Sequence, residues 1–230
     1  MITKRLPASV TVQQFLSDYV KDKTVLDVGC VDHNPSSEAL NTWLHRHLVR
    51  SAKSVIGLDI LQSHVEELRK RGYDMVCGDA TSTRLDRKFD VVIAGEFIEH
   101  IGSPGPFVSN MVHHLNENGR LVITTPHAFF ILHAVERWFS LEEKRWNEEH
   151  VSWYCPFTLA NLLKSNGCEV ESIYFATRSK ILRRILRTLH LPCFGFLSST
   201  IIAVAKLPAR TATEQSRNGA AADPVQRLSV

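Results

Sequence analysis

The strongest limit on how this chain folds is a series of short apolar runs that each end at an acidic or small residue. The runs follow one another between Lys23 and His127 and read VLDVGC, VIGLDI, CGDAT, FDVVIAGEFIEHI and GRLVITTPH. Segments with helical spacing of apolar residues separate them, as expected for parallel strands joined by helical crossovers. The alternation predicts an α/β fold with helices on both faces of a mostly parallel sheet. Such open sheets bind ligands beyond the carboxyl ends of their strands.

Hydrophobic periodicity also places the individual elements. Strands are predicted at residues 24–28, 55–59, 74–77, 89–94, 121–125, 170–176 and 200–206. Helices are predicted at residues 11–20, 62–71, 107–115 and 158–165. A further helix is predicted to start at Pro35, with Asn34 as a possible cap and with Leu40, Trp43, Leu44 and Leu48 along one face. Only a basic amphipathic run of helical length lies between the last two strands, so these strands are compatible with antiparallel neighbours joined by a long excursion.

The composition is that of one ordinary globular domain. The chain has 230 residues, of which 44% are hydrophobic and 22% charged. We expect one domain over residues 1–207 and a disordered tail over residues 208–230, where large apolar side chains are scarce. No apolar run approaches the roughly 20 residues of a membrane span, and no apolar segment follows the first residues. A cytoplasmic location is therefore expected.

The net charge of +3 is unevenly distributed along the chain. No acidic residue lies between Glu171 and Glu214, and residues 178–197 alternate basic with apolar side chains as in an amphipathic helix. Such a helix either packs on its own domain with its arginines in water or contacts an anionic membrane surface, a phosphorylated or lipid-linked acceptor, or a partner protein. No dense basic stripe is present, so nucleic acid is not expected as a partner.

Taken in order, these stretches resemble the class I S-adenosylmethionine-dependent methyltransferases over about residues 22–206. The resemblance implies a Rossmann-like, seven-stranded, mostly parallel sheet with an antiparallel last strand, and S-adenosylmethionine as the cofactor. The leading hypothesis is methyl transfer to an oxygen of a small-molecule, glycan-like or lipid-linked acceptor. The oligomeric state is left open.

The resemblance also assigns cofactor contacts to residues at the strand ends. It places Asp27 and Gly29 at the amino-acid end of the cofactor, Asp59 at the ribose hydroxyls and Asp79 near the adenine. For each carboxylate the alternative is a local role in a tight turn or as a helix cap. The full set of expected cofactor residues is Asp27, Gly29, Asp59, Ile60, Asp79, Ala80 and Glu96.

The loop after the first of these strands departs from the family pattern. The family usually reads D-x-G-x-G-x-G, whereas Val31 and His33 occupy the second and third glycine positions here. Either the loop follows a different path or cofactor affinity is lost. We favour a different path, because Asp59 and Asp79 are retained in place. The alternative keeps open a non-catalytic nucleotide-binding or scaffold subunit.

A short acidic and histidine-containing motif follows the fourth predicted strand. Glu96, Glu99 and His100 form E-x-x-E-H, which resembles the Mg²⁺-binding motif of small-RNA terminal 2′-O-methyltransferases and of some ubiquinone-pathway O-methyltransferases. In the small-RNA enzymes a later histidine completes the site, and His150 resembles that histidine. The motif therefore suggests Mg²⁺ as a second cofactor and RNA 2′-O-methylation as an alternative function. The other interpretation is that the motif only structures the loop. In either case His150 is the first candidate for the general base and His127 the second.

Overall fold

One eight-stranded sheet forms the centre of the protein. The computed structural model describes residues 2–31, 42–131, 135, 138, 147–191 and 195–209. The strands are β1 (Ile2–Arg5), β2 (Thr24–Val28), β3 (Ser54–Asp59), β4 (Met75–Cys77), β5 (Phe89–Gly95), β6 (Leu115–Pro126), β7 (Glu169–Ala176) and β8 (Thr200–Lys206). Their order across the sheet is β1-β7-β8-β6-β5-β2-β3-β4. β8 runs antiparallel to both of its neighbours, and the other pairings are parallel. The predicted α/β class and antiparallel last strand are confirmed.

The described α-helices cover both faces of the sheet. They are α1 (Val12–Tyr19), α2 (Leu44–Ser51), α3 (Gln62–Lys70), α4 (Pro104–His113), α5 (Pro156–Ser165) and α6 (Lys180–Thr188). Side chains of α4 and α5 pack with one face of the strands, including Leu26. Side chains of α1 and α2 pack with the other face, including Val25. Consecutive residues of β2 thus point to opposite buried layers, which explains its continuous apolar run.

The sheet has one strand more than the seven predicted. The additional strand, β1, pairs in parallel with β7 at the edge of the sheet, from Ile2 opposite Ser172 to Arg5 opposite Phe175. All four of its residues are exposed, and three of them are polar or charged. A strand that buries no side chain has no apolar run, so periodicity could not reveal it.

The helix predicted from Pro35 begins only at Leu44 within the described residues, and Trp43 is its N-cap. The start of β6 is another place where the predicted element is wrong. Residues 107–115 were predicted as a helix, but α4 ends at His113 and β6 already begins at Leu115, well before the predicted residue 121. Its first part is the polar sequence LNENG, and its register against β5 shifts between Phe89 and Val91. A polar, irregular strand end lacks the alternation from which strands are recognised.

The carboxyl-terminal part of the chain follows the predicted order. β7 and β8 are antiparallel neighbours, from Glu169 opposite Lys206 to Ala176 opposite Thr200. The helix α6 lies inside the predicted basic segment. Residues 210–230 of the predicted tail lie outside the described residues, so that prediction is untested. Among the helices that the structure describes, none has both the length and the apolar character needed to cross a membrane.

Candidate functional site

The order of the strands creates a cleft beside β2. From β2 the chain adds β3 and β4 on one side and then returns to place β5 and β6 on the other. Open α/β sheets bind ligands at such a reversal, beyond the carboxyl ends of the strands. A cavity of about 410 Å³ opens there, and we call it the switch-point cavity. It is lined by Val12, Gln13, Leu16, Asp27, Gly29, Cys30, Val31, Thr42, Trp43, Leu44, His45, Gly95, Glu96, Thr124 and Arg178.

Asp27 and His45 form a buried pair in the wall of this cavity. Asp27 Oδ2 lies 2.8 Å from His45 Nδ1. Burial raises the pKa of Asp27, and the hydrogen bond to His45 opposes that rise. The other ring nitrogen of His45, Nε2, is buried without a hydrogen-bond partner in the part of the chain that is described. Because an unpaired buried polar atom is costly, His45 Nε2 is a suitable contact for a ligand in the cavity.

Gly29 occupies a position that only glycine fits. Its φ of +65° lies in the left-handed region, and a Cβ built there would stand 2.2 Å from Cδ2 of Phe97. The ring of Phe97 therefore packs directly against the backbone where β2 ends. The sequence predicts that glycine at position 29 lets a ligand approach the backbone closely. The structure gives a second reason for glycine there, which is the packing of the Phe97 ring.

The loop beyond Gly29 accommodates a side chain where the family pattern has glycine. Val31 is buried in a small cluster with Cys30, Val65 and Met75. Its backbone N–H donates to Asp59 Oδ2 at 2.9 Å. The start of the loop is thus fixed by a core contact and a hydrogen bond. His33 lies outside the described residues.

The predicted ribose and adenine residues lie outside the lining of the switch-point cavity. Besides its bond from Val31, Asp59 accepts a hydrogen bond from the N–H of Leu61 at 3.1 Å. Asp79 Oδ1 accepts from both the N–H and the hydroxyl of Thr81, each at 2.8 Å, which is a local turn motif. Ile60 is 66% exposed and Ala80 is buried. Their roles at a cofactor stay predictions.

Glu96 lies at the boundary between β5 and the following loop, with a positive φ of 52°. Its Oε1 accepts a hydrogen bond from the Thr124 hydroxyl at 3.0 Å. Its Oε2 lies 3.3 Å from an Nη atom of Arg178, which follows β7. Sequence reasoning missed both His45 and Arg178 as site residues. The only signal for Arg178 was its place at the start of the basic segment.

Three of the four proposed metal ligands come together in the structure. The ligand atoms of Glu99, His100 and His150 lie within 4.8 Å of one another. Glu96 is not part of this group, since its carboxylate is engaged by Thr124 and Arg178. Glu99 is 1% exposed, and its Oε1 has no hydrogen-bond partner among the described residues. Burial, followed by the charge of Glu96, raises the pKa of Glu99 to about 8.

This donor set does not fit the predicted Mg²⁺. Magnesium prefers an octahedron of oxygen ligands, whereas two of the three groups here are imidazoles. Two imidazoles and one carboxylate suit a divalent transition metal better. The buried Glu99 carboxyl would first have to lose its proton, because metal ligands bind deprotonated.

The two candidate bases have different surroundings. His150 is partly buried, with its ring 4.8 Å from that of His100 and 5.8 Å from that of Trp153. Burial, followed by the nearby His100, lowers the pKa of His150, which favours the neutral imidazole. His127 is 3% exposed, and its Nδ1 lies 3.1 Å from the backbone oxygen of Ser198. Neither histidine lines the switch-point cavity.

Comparison with known proteins gives the family of the chain. A family profile described as "Methyltransferase domain" matches residues 5–173. Ubiquinone biosynthesis O-methyltransferases from Rickettsia conorii and Rickettsia prowazekii are 28% and 30% identical to this chain over 130 and 122 residues, which are 54% and 50% of it. The matched parts are 42% and 45% of those relatives, so the chain spans less than half their length.

The fold is shared with solved structures. Magnesium protoporphyrin IX methyltransferase from Synechocystis PCC 6803, a structure with bound SAH, has a TM-score of 0.57 and 14% identity. The match covers 85% of this chain and 82% of that one. At this identity the likeness shows the fold only. Because the family profile spans well over half of the residues, the chain belongs to the methyltransferase-domain family of class I S-adenosylmethionine-dependent enzymes.

Proposed function

We propose that this protein transfers the methyl group of S-adenosylmethionine to an oxygen of a small-molecule acceptor. The family supports the reaction, and the relatives named as ubiquinone biosynthesis O-methyltransferases support oxygen as the accepting atom. The observation that carries the proposal is the switch-point cavity, which brings Asp27, Gly29 and Glu96 together at the place where open α/β sheets bind ligands.

The residues of the cavity fit the charged end of this cofactor. S-adenosylmethionine carries a positive sulfonium and an amino acid with one ammonium and one carboxylate group. Glu96 offers a carboxylate and His45 an unpaired buried nitrogen in the same lining. When bound, the cofactor supplies an activated methyl group, so the protein chiefly has to position the acceptor. Asp59 and Asp79 are the proposed contacts for the adenosine, at the ends of neighbouring strands.

An oxygen acceptor must also lose its proton, and we assign that task to His150. Its lowered pKa leaves the imidazole neutral near pH 7, so it can accept a proton. His127 is the second candidate, although its buried ring would have to become accessible to the acceptor. A His150→Gln variant should lower kcat while cofactor affinity stays unchanged, whereas His127→Gln should change kcat much less. The reverse pattern would exchange the two roles.

Calorimetric titration of the full chain with S-adenosylmethionine and with its demethylated product tests the cofactor assignment. Both should bind with one site per chain, and Gly95 and Thr124 amide signals in NMR spectra should shift because both residues line the cavity. Absence of heat and of a thermal shift would reject the enzyme and favour the non-catalytic alternative. Transfer of tritiated methyl groups to small phenolic acceptors then tests the chemistry.

We further propose that α6 contacts an anionic membrane surface. Ile181, Ile185 and Leu189 are four residues apart on this helix and are all exposed, Ile181 by 76%. Arg184 and Arg187 are exposed beside them. An amphipathic helix with exposed aliphatic and basic side chains suits the interface of an anionic bilayer. Arg184→Glu with Arg187→Glu should abolish sedimentation with anionic vesicles, and unchanged sedimentation would reject the contact.

A further inference from the structure

A second cavity adjoins the switch-point cavity on the side of the basic segment. Its volume is about 380 Å³, and it is lined by Thr11, Val12, Gln13, Thr42, His47, Thr177, Arg178, Lys180 and Arg183. Four of these residues, Val12, Gln13, Thr42 and Arg178, also line the switch-point cavity. A molecule in this basic cavity would therefore lie next to the proposed cofactor.

The described lining of the basic cavity carries positive charge and no acidic side chain. Arg178, Lys180 and Arg183 contribute three cations. Arg178 lies 3.3 Å from Glu96 at the boundary of the two cavities, and Arg183 is held in place by a bond from its Nε to the backbone oxygen of Ala8 at 3.2 Å. The remaining guanidinium N–H groups of Arg183 are not used by that bond. Cations anchored in this way favour a ligand with negative charge.

Two neutral features of the same wall point to the same type of ligand. The hydroxyl of Thr177 is buried and has no hydrogen-bond partner in the described structure, while the residue as a whole is 4% exposed. The helix α6 begins at this cavity with Lys180, after Ser179 caps the N–H of Leu182 at 3.2 Å. The amino terminus of a helix carries partial positive charge and unpaired N–H groups. A hydroxyl, helix N–H groups and cations together form a suitable set of donors for an oxyanion.

We infer that the basic cavity binds an anionic group, a phosphate or a carboxylate, of the methyl acceptor. The inference rests on the proposed function, because the acceptor must lie beside the cofactor for its methyl group to be transferred. The anionic group would be held by Lys180, Arg183 and Thr177, with Arg178 between the two ligands. It would thereby position the acceptor oxygen at the mouth of the switch-point cavity.

Calorimetric titration of the full chain with inorganic phosphate, and separately with acetate, tests this inference at constant ionic strength set with sodium chloride. We expect one phosphate or acetate site per chain, and we expect it to persist when S-adenosylmethionine is saturating. Loss of the site under saturation would mean that the carboxylate of the cofactor itself occupies the basic cavity, which overturns the inference. Tighter binding of phosphate than of acetate, or the reverse, identifies the class of acceptor.

Paired variants of α6 separate the cavity from general charge. Lys180→Gln with Arg183→Gln should weaken phosphate binding about tenfold or more, because charge-assisted hydrogen bonds are lost. Arg184→Gln with Arg187→Gln removes the same charge from the same helix outside the cavity lining and should change affinity less than about twofold. Equal losses in both pairs would reject a specific site.

A third variant keeps the inference testable should the first pair prove unstable. Thr177→Val retains all the charges and removes a hydroxyl that has no partner, so it should leave the thermal midpoint unchanged or higher while weakening phosphate binding several-fold. Unchanged phosphate affinity in this variant contradicts the role of Thr177. If phosphate binds and S-adenosylmethionine does not, the proposed function is refuted. If S-adenosylmethionine binds and neither phosphate nor acetate does, only this inference is refuted.

Discussion

Replacing Gly29 by alanine tests the packing that shapes the start of the cofactor loop. The left-handed backbone costs an alanine about 1 kcal/mol. The new Cβ would stand 2.2 Å from Cδ2 of Phe97, and relieving such overlap in a packed region costs a further 1–3 kcal/mol or so. The free energy of unfolding should therefore fall by about 2–4 kcal/mol, which for a chain of this size lowers the thermal midpoint by roughly 5–15 °C. Urea and thermal denaturation measure both quantities.

Another glycine of the chain gives a matched control. Gly72 has a φ of +90° and no atom within 4 Å of an added Cβ, so Gly72→Ala should cost only the backbone term of about 1 kcal/mol. Adding Phe97→Ala to Gly29→Ala should recover the steric part, which a double-mutant cycle reports as a coupling energy of about 1–3 kcal/mol. If Gly29→Ala were no more destabilising than Gly72→Ala, or if the coupling energy were zero, the contact with Phe97 would not be the reason for glycine at position 29.

Three other predictions concern charged groups of the structure. Glu96→Gln should weaken S-adenosylmethionine binding roughly tenfold in calorimetric titration with little change in stability, because it removes the carboxylate that faces the cavity. Burial raises the pKa of Glu99 from 4.5 to about 8. Between these two pH values the folded protein retains a proton that the unfolded chain releases, so the free energy of unfolding should fall as the pH rises. Glu99→Gln should remove this decline, measured by urea unfolding at about pH 5 and about pH 8 with chelator present, and an equal decline in the variant would contradict the assignment. Arg120→Gln should lower the free energy of unfolding by about 1 kcal/mol, and by less in high salt. It breaks a bidentate ion pair with Glu171, at 2.5 Å and 3.0 Å, that links β6 to β7 across β8.

How much of the fold the sequence predicts depends on burial. β2 and β8 lie within continuous apolar runs, and their predicted bounds agree with the structure. β1 buries nothing, and the first residues of β6 are polar, so neither carries a periodic signal. The prediction succeeds at the centre of the sheet and fails at β1 and at the start of β6 for the same reason, because hydrophobic periodicity reports only side chains that are buried.

The candidate site shows a similar division. Asp27, Gly29 and Glu96 stand at strand ends, and the topology of the sheet alone brings them to one edge. His45 and Arg178 reach the same cavity from a helix and from the chain after β7, through contacts that no local pattern encodes. The spacing of Glu96 and Glu99 suggested one helical face.

The structure separates these two carboxylates for a local reason. Glu96 has a positive φ, and the short 3-10 helix begins only at Ile98, so the helical spacing does not apply to Glu96. Glu99 therefore joins His100 and His150, while Glu96 turns toward Arg178. A residue that lies two positions before a helix, on irregular backbone, cannot be placed from its spacing alone.

We expect the contact between Glu96 and Arg178 to couple ligand binding in the two cavities. A cofactor with a sulfonium and an ammonium group competes with Arg178 for the Glu96 carboxylate, and an anion in the basic cavity competes with Glu96 for Arg178. Whichever ligand binds first weakens the pair and leaves the other partner free. The two ligands should therefore bind cooperatively, and by linkage S-adenosylmethionine must raise phosphate affinity by the same factor as phosphate raises cofactor affinity. Titrating each ligand in the presence of the other measures both factors. In Arg178→Gln the factor should approach one, and a factor unchanged in this variant would show that the Glu96–Arg178 contact does not couple the cavities.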